Sequence, residues 1–222
     1  MLIFPLGKSG TSGIPIASIF VCVVCLIVFV FASTTQDRLA LAFYPDQLDP
    51  LKMFTAAFTH GDFWHLLGNL FFFYCFARTI EARINVAGFV LAFVVFVLVT
   101  NLAYAASAQE PVPTLGLSGV VWGYMGMFLF RYPKDRIECW VLFLNKIEVP
   151  ASFFILAFLA LDISAYRHTE VASVNYVAHF SGFAAGALFK LAFWNTFTTE
   201  DPAPRKKAAY PSRMPHGRAA RR

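Results

Sequence analysis

Leu115–Phe130, LGLSGVVWGYMGMFLF, is the stretch on which the reading of this chain turns. It is sixteen residues without a charge, opening on Gly116 and Gly119 with Ser118 between them. A helix needs about 20 residues to cross a bilayer, so this one is short. Glu110, Pro111 and Pro113 immediately ahead of it break any helix. A short helix preceded by irregular backbone is tolerated at membrane depth only where protein or a water-filled cavity surrounds it. The stretch therefore predicts a recessed helix inside a bundle, beside a cavity that has work to do.

Working outward, five longer apolar stretches flank it. Ile14–Ala32, approximately Asp62–Ile84, Val86–Ala108, Val149–Ala165 and Val174–Trp194 read as the first, second, third, fifth and sixth spans. The first is longer than the apolar core of a cleaved signal peptide and is expected to stay uncleaved. Residues 33–59 read as a long, partly interfacial loop, Arg131–Arg136 as a basic loop and Trp140–Glu148 as an interfacial segment. The expected fold is an all-α membrane protein, a bundle of six transmembrane helices with a short, recessed fourth helix. Its expected parts are an N-terminus over 1–13, a core over 14–195 and a basic tail over 196–222.

Composition agrees. Of 222 residues, 58% are hydrophobic and 14% charged, against about 25% charged in soluble domains. Neither a disordered chain nor a charged-surface enzyme has that balance. Six spans take roughly 120 residues, which leaves short loops and a tail. With the N-terminus inside, fifteen of the Lys and Arg residues fall on one side and only Arg38, Lys52 and Arg167 on the other. This asymmetry puts both termini in the cytoplasm. Seven of the fifteen lie between Arg205 and Arg222, in a tail expected to be disordered and to meet anionic lipid headgroups rather than nucleic acid. Cys22, Cys25, Cys75 and Cys139 sit in or beside apolar stretches and read as packing residues, not as a disulfide framework.

Polar residues inside spans are costly, so each is a candidate for function. Three clusters qualify. His60, His65 and Asn69 open the second span, with His65 and Asn69 on one helical face and His60 just ahead of the helix. Ser118 starts the fourth helix between glycines that allow another backbone or a substrate to approach its hydroxyl. His179, Gly182 and Gly186 lie at i, i+3 and i+7 in the sixth span, which puts the histidine on a face smooth enough for close helix packing. A serine beside glycines supplies a nucleophile and the histidine its base. The helix-start N–H groups and the His/Asn pair supply oxyanion donors. Together these fit acyl transfer.

These motifs resemble those of the rhomboid family of intramembrane serine proteases. H-x-x-x-x-H-x-x-x-N is present as His60, His65 and Asn69, G-x-S-G as Gly116 to Gly119, and A-H-x-x-G-x-x-x-G as Ala178 to Gly186, in order and in the matching spans. The resemblance covers residues 14–195. It implies a Ser118–His179 dyad without a third acidic member, cleaving transmembrane segments of single-span or multi-span membrane proteins within the bilayer. It further implies an oxyanion held by the backbone N–H of Ser118 and of Leu117 and by the side chains of His65 and Asn69. Trp122 stands at the aromatic position that stacks on the histidine, and His60 shapes the site and admits water.

The sequence departs from the family pattern where Leu51-Lys52 replaces a Trp-Arg pair and where Ala77 and Asn85, not glycines, flank Glu81. Glu81 reads as a structural hydrogen bonder. Asp162, near the outer end of span five, is weighed as a third member of the catalytic set and left out of it. No metal or other cofactor is expected, since a zinc site of His60, His65 and His179 would leave the serine and its glycines unexplained. The competing function is that of a non-catalytic relative that binds transmembrane helices and controls their trafficking. A compact six-span core read without a targeting extension is expected in a bacterial inner membrane.

Overall fold

The computed structural model describes residues 6–7, 14–141, 145–168 and 174–199. The expectations for the basic tail from residue 200, and for most of the N-terminus, lie outside the described residues. Eight helices and a small sheet run in the order β1 Leu6–Gly7, α1 Ile16–Phe31, α2 Thr35–Leu41, α3 Pro50–Phe58, α4 Phe63–Glu81, α5 Val86–Ser107, α6 Ser118–Arg131, β2 Arg136–Val141, β3 Asn145–Pro150, α7 Ala151–His168 and α8 Tyr176–Phe197. The six expected spans correspond to α1, α4, α5, α6, α7 and α8. Three of these, α5, α7 and α8, are long and apolar enough to cross a membrane, and α1 is a shorter apolar helix. Large apolar side chains cover their outer faces, among them Phe20, Phe31, Val86, Leu188 and Leu191, as contact with lipid requires.

The fold is not purely helical. β2 and β3 pair antiparallel with Arg136 opposite Pro150 and Val141 opposite Asn145, and β1 pairs with the other edge of β2. The stretch from 33 to 59 is not a plain loop either, because it holds α2 and α3. Local capping explains both helices. Thr34 and Asp37 form a reciprocal capping box at the start of α2, and Asp49 accepts from the N–H groups of Leu51 and Lys52 with Pro50 at the first helical position of α3. Asp62, Asn85 and Asn175 cap α4, α5 and α8 in the same way.

The N-terminus of α1 has no cap of its own. Glu81, at the far end of α4, fills that role from 63 and 64 residues away. Its carboxylate accepts from Ala17 N–H at 2.8 Å, Ser18 N–H at 2.8 Å and Ser18 Oγ at 2.6 Å. An acid at a helix N-terminus satisfies orphan donors and meets the positive end of the helix dipole. Glu81 is thus a structural hydrogen bonder, joining the first and second expected spans.

α6 occupies the middle of the bundle. Every residue from Gly119 to Leu129 is buried. Tyr124 donates to the Phe89 carbonyl at 3.0 Å and is ringed by Phe73, Phe89 and Phe96. Against α8 the two backbones touch. A Cβ on Gly182 would stand 2.1 Å from the Gly119 carbonyl oxygen, one on Gly186 1.9 Å from that of Gly123, and one on Gly126 2.3 Å from that of Phe183. Two of these glycines belong to α8 and one to α6, so each helix presses into the other with no side chain between them, as in close-packed membrane helix pairs.

This contact yields a paired prediction. Gly186→Ala and Gly182→Ala drive a methyl group into a carbonyl that has no room to move, and each is expected to lower the thermal midpoint in detergent sharply, with a cost at or above the ~1–3 kcal/mol of ordinary overpacking. Gly68→Ala, in α4 with nothing within 4 Å of its would-be Cβ, is expected to leave the midpoint unchanged or raise it, by up to about 1 kcal/mol of helix propensity. Differential scanning fluorimetry of the three variants checks the contrast.

Candidate active site

The segment leading into α6 is tied down residue by residue. Thr114 and Phe43 exchange both backbone hydrogen bonds, at 2.9 and 3.0 Å. Gly116 N–H donates to the Ala56 carbonyl at 2.9 Å, and Leu117 N–H donates to His60 Nε2 at 3.4 Å. Gly116 has φ of +118°, a conformation open to glycine and rarely to other residues. A Cβ there would also come within 2.7 Å of His65 Nε2, so glycine is required on both counts. The result is that Ser118 enters α6 from an immobilised turn. Leu117, its N-cap residue, has no side-chain cap, so the first-turn N–H groups receive no acceptor from a capping side chain.

A cavity of about 830 Å³ lies over this turn, lined by His65, Asn69, Gly116, Ser118, Gly119, Trp122, Asp162 and His179 among others. His65 is in the first turn of α4, where its Nδ1 accepts from Gly61 N–H at 3.5 Å, and its Nε2 faces Gly116. Asn69, one turn on, spends one Nδ2 hydrogen on the His65 carbonyl at 3.0 Å. His179 begins α8, brought beside Ser118's helix by the glycine contact. Its ring meets Trp122 at 6.0 Å between centroids, tilted by 37°, and Tyr176 edge-on at 6.0 Å. Ser118 Oγ makes no hydrogen bond among the described residues.

Of the residues picked out by sequence, the structure gathers Ser118, His179, His65, Asn69, Gly116, Gly119 and Trp122 around one cavity. His60, Leu117, Gly182 and Gly186 stand behind its wall and do not line it. Leu117 departs from expectation. Its N–H points to His60, so it is committed to holding the turn and is not open to an oxyanion. Asp162, left out of the catalytic set above, is in direct contact with the histidine: its Oδ2 lies 2.6 Å from His179 Nδ1. Tyr176 and Thr100, whose methyl group packs at the position a Gly119 Cβ would take, were also missed. Thr100 gave no sequence signal. Tyr176 did, three residues before the histidine.

Residues 47–196 match the rhomboid domain. The chain belongs to the rhomboid family. It is 24% identical over 195 residues to rhomboid protease GlpG of Pectobacterium atrosepticum, covering 88% of this chain and 66% of that one. It is 27% identical over 150 residues to mitochondrial rhomboid protein 1 of Saccharomyces cerevisiae, covering 63% and 40%. A putative rhomboid protease of Bacillus subtilis, YdcA, is 26% identical over 138 residues, covering 62% and 64%. The chain spans two fifths to two thirds of the length of these relatives. As a rhomboid protein with apolar, membrane-length helices, it is an integral membrane protein.

His60 is held neutral by this rhomboid fold. Burial, with the neighbouring His65 adding to it, pushes the His60 imidazole down to about 3. An ordinary histidine in the unfolded chain titrates near 6.5, so between pH 6.5 and about 3 the unfolded state binds a proton that the folded state refuses. Stability therefore falls as pH drops through that window and is unaffected by His60 above it. Thermal midpoints measured from pH 8 to pH 4 are expected to decline below about 6.5. His60→Gln, which keeps an acceptor for Leu117 N–H and cannot titrate, is expected to flatten the decline.

Proposed function

We propose that this rhomboid protein is an intramembrane serine endopeptidase that cleaves transmembrane segments of other membrane proteins, with Ser118 as nucleophile and His179 as general base. The observation that carries the reading is the convergence of Ser118, His179, His65 and Asn69 on one cavity, around a turn held rigid by Phe43, Ala56 and His60. Nucleophilic catalysis needs a serine whose base sits on a surface fixed relative to it. The α6–α8 glycine contact supplies that fixity.

In the proposed reaction His179 Nε2 takes the Ser118 proton as Oγ attacks the peptide carbonyl, then delivers it to the leaving amine. Water repeats the sequence on the acyl-enzyme. Charge on the carbonyl oxygen is met by the N–H of Ser118, by the second Nδ2 hydrogen of Asn69 and by the Nε2–H of His65, the nitrogen that holds the proton while Nδ1 accepts from Gly61. His60 acts indirectly, by holding Leu117 and so the turn. The substrate segment must present extended backbone to the cavity, since a helix keeps its carbonyls bonded. The proposed setting is a bacterial inner membrane, with six spans, a recessed α6 and both termini cytoplasmic.

Labelling of the purified protein in mild detergent with a fluorophosphonate tests this without knowledge of a substrate. Wild type is expected to label, and Ser118→Ala and His179→Ala to lose labelling while keeping the wild-type thermal midpoint within a few degrees. Asn69→Ala is expected to slow labelling by about 10²-fold or less, as one oxyanion donor among several. A folded wild type that does not label, but retains a transmembrane helix on co-purification, would favour the helix-binding reading.

A further inference from the structure

α7 joins the bundle chiefly through its first turns. Ala151, Phe154 and Ile155 are its buried residues. Beyond them one stripe continues inward at four-residue spacing: Phe158 against Phe72, then Asp162, then Tyr166 against Tyr176 and Phe180. Phe158, Asp162 and Tyr166 all line the cavity that holds Ser118. Asp162 is thus a carboxylate on the inward, aromatic face of an apolar helix, where a charge without a partner would be costly. Its partner is His179 Nδ1 at 2.6 Å, with side-chain exposures of 22% for Asp162 and 10% for His179.

The contact has a direction. A carboxylate accepts only, so the proton in this bond belongs to His179 Nδ1, and the neutral ring then carries its lone pair on Nε2. The imidazole has its planar neighbours in Trp122 from α6 and Tyr176 from α8, and His65 of α4 is close enough to interact electrostatically. None of these offers an anionic acceptor to Nδ1.

We propose that Asp162 is a positioning residue for the catalytic histidine, completing from a third helix the base that α8 presents to Ser118. The proposal rests on the serine-protease reading above and alters its architecture from two residues to three. When Ser118 Oγ bonds to the carbonyl carbon, its proton moves to Nε2. The Nδ1–H bond stays intact, and the Asp162 carboxylate steadies the imidazolium without taking a proton. The same Nε2 proton leaves with the amine. Asp162 selects the tautomer and stabilises a charge that appears only during reaction, so its effect belongs on the chemical step and not on probe binding.

Three variants of the full chain, Asp162→Asn, Asp162→Ala and Asp162→Glu, separate this from a merely structural contact. Fluorophosphonate inactivation is resolved into the limiting rate kinact and the half-saturating concentration KI, and isotope-labelled histidine NMR reports the His179 tautomer whether or not the serine reacts. For Asn and Ala the expected result is kinact lower by about 10²-fold, at the low end for acid–base groups because Asp162 is reached by solvent, with KI and thermal midpoint near wild type. Glu is expected to restore part of kinact, and the wild-type spectrum to show Nδ1–H at His179, lost in Ala. Wild-type labelling with kinact unchanged in all three variants overturns the role of Asp162 and leaves the Ser118–His179 assignment standing. A fall in thermal midpoint that accounts for the loss of labelling, with no change in tautomer, makes Asp162 structural and likewise overturns it. A wild type that never labels overturns both, whatever the tautomer.

Discussion

Everything around the cavity depends on two helices meeting backbone to backbone. At Gly182 and Gly186 of α8 and at Gly126 of α6, a carbonyl of the other helix stands where a side chain would. In a membrane there is little hydrophobic drive to bring helices together, so association rests on van der Waals contact and on polar groups that find partners. The tight seam supplies the first. It also fixes the distance between a serine at the start of one helix and a histidine in the first turn of the other, which a looser pair of large side chains would let drift.

The rest of the site is held by bonds made away from that seam. Thr114 pairs with Phe43, Gly116 with Ala56 and Leu117 with His60, so the turn before Ser118 is braced by the segments around α3 on one side while α8 braces the helix on the other. Polar side chains that look catalytic in a list divide into two kinds here. His65, Asn69 and His179 face the cavity, whereas His60 is spent on the backbone. A buried neutral histidine accepting a backbone N–H is a structural element with the composition of an active-site residue.

Much of this was legible in the sequence, because spans and motifs are local patterns. The expected span limits fall within about three residues of the helices, and the Gly182/Gly186 spacing predicted the close face that α8 presents. The family resemblance singled out Ser118, His179, His65 and Asn69, and these four line one cavity. What escaped was of two sorts. The capping box at Thr34 and the Asp49-Pro50 N-cap, which make α2 and α3, are local signals masked by the mixed composition around them. The Asp162–His179 contact depends instead on how α7 is rotated against α8, a property of packing that no single helix encodes. A clue did exist in the four-residue ladder Phe154, Phe158, Asp162, Tyr166, where an acid takes a place among aromatics. Leu117's bond to His60 joins residues 57 apart, beyond the reach of any local pattern.

Glu81 bears on how such a protein is assembled. α1 precedes α4 in the chain, yet the carboxylate that satisfies Ala17 and Ser18 belongs to a residue more than sixty positions later. Until α4 has been synthesised and has entered the bilayer, the first helix carries open N–H donors at its leading end and must keep them at the water interface. The native setting of α1 is completed when the carboxylate at the end of α4 arrives.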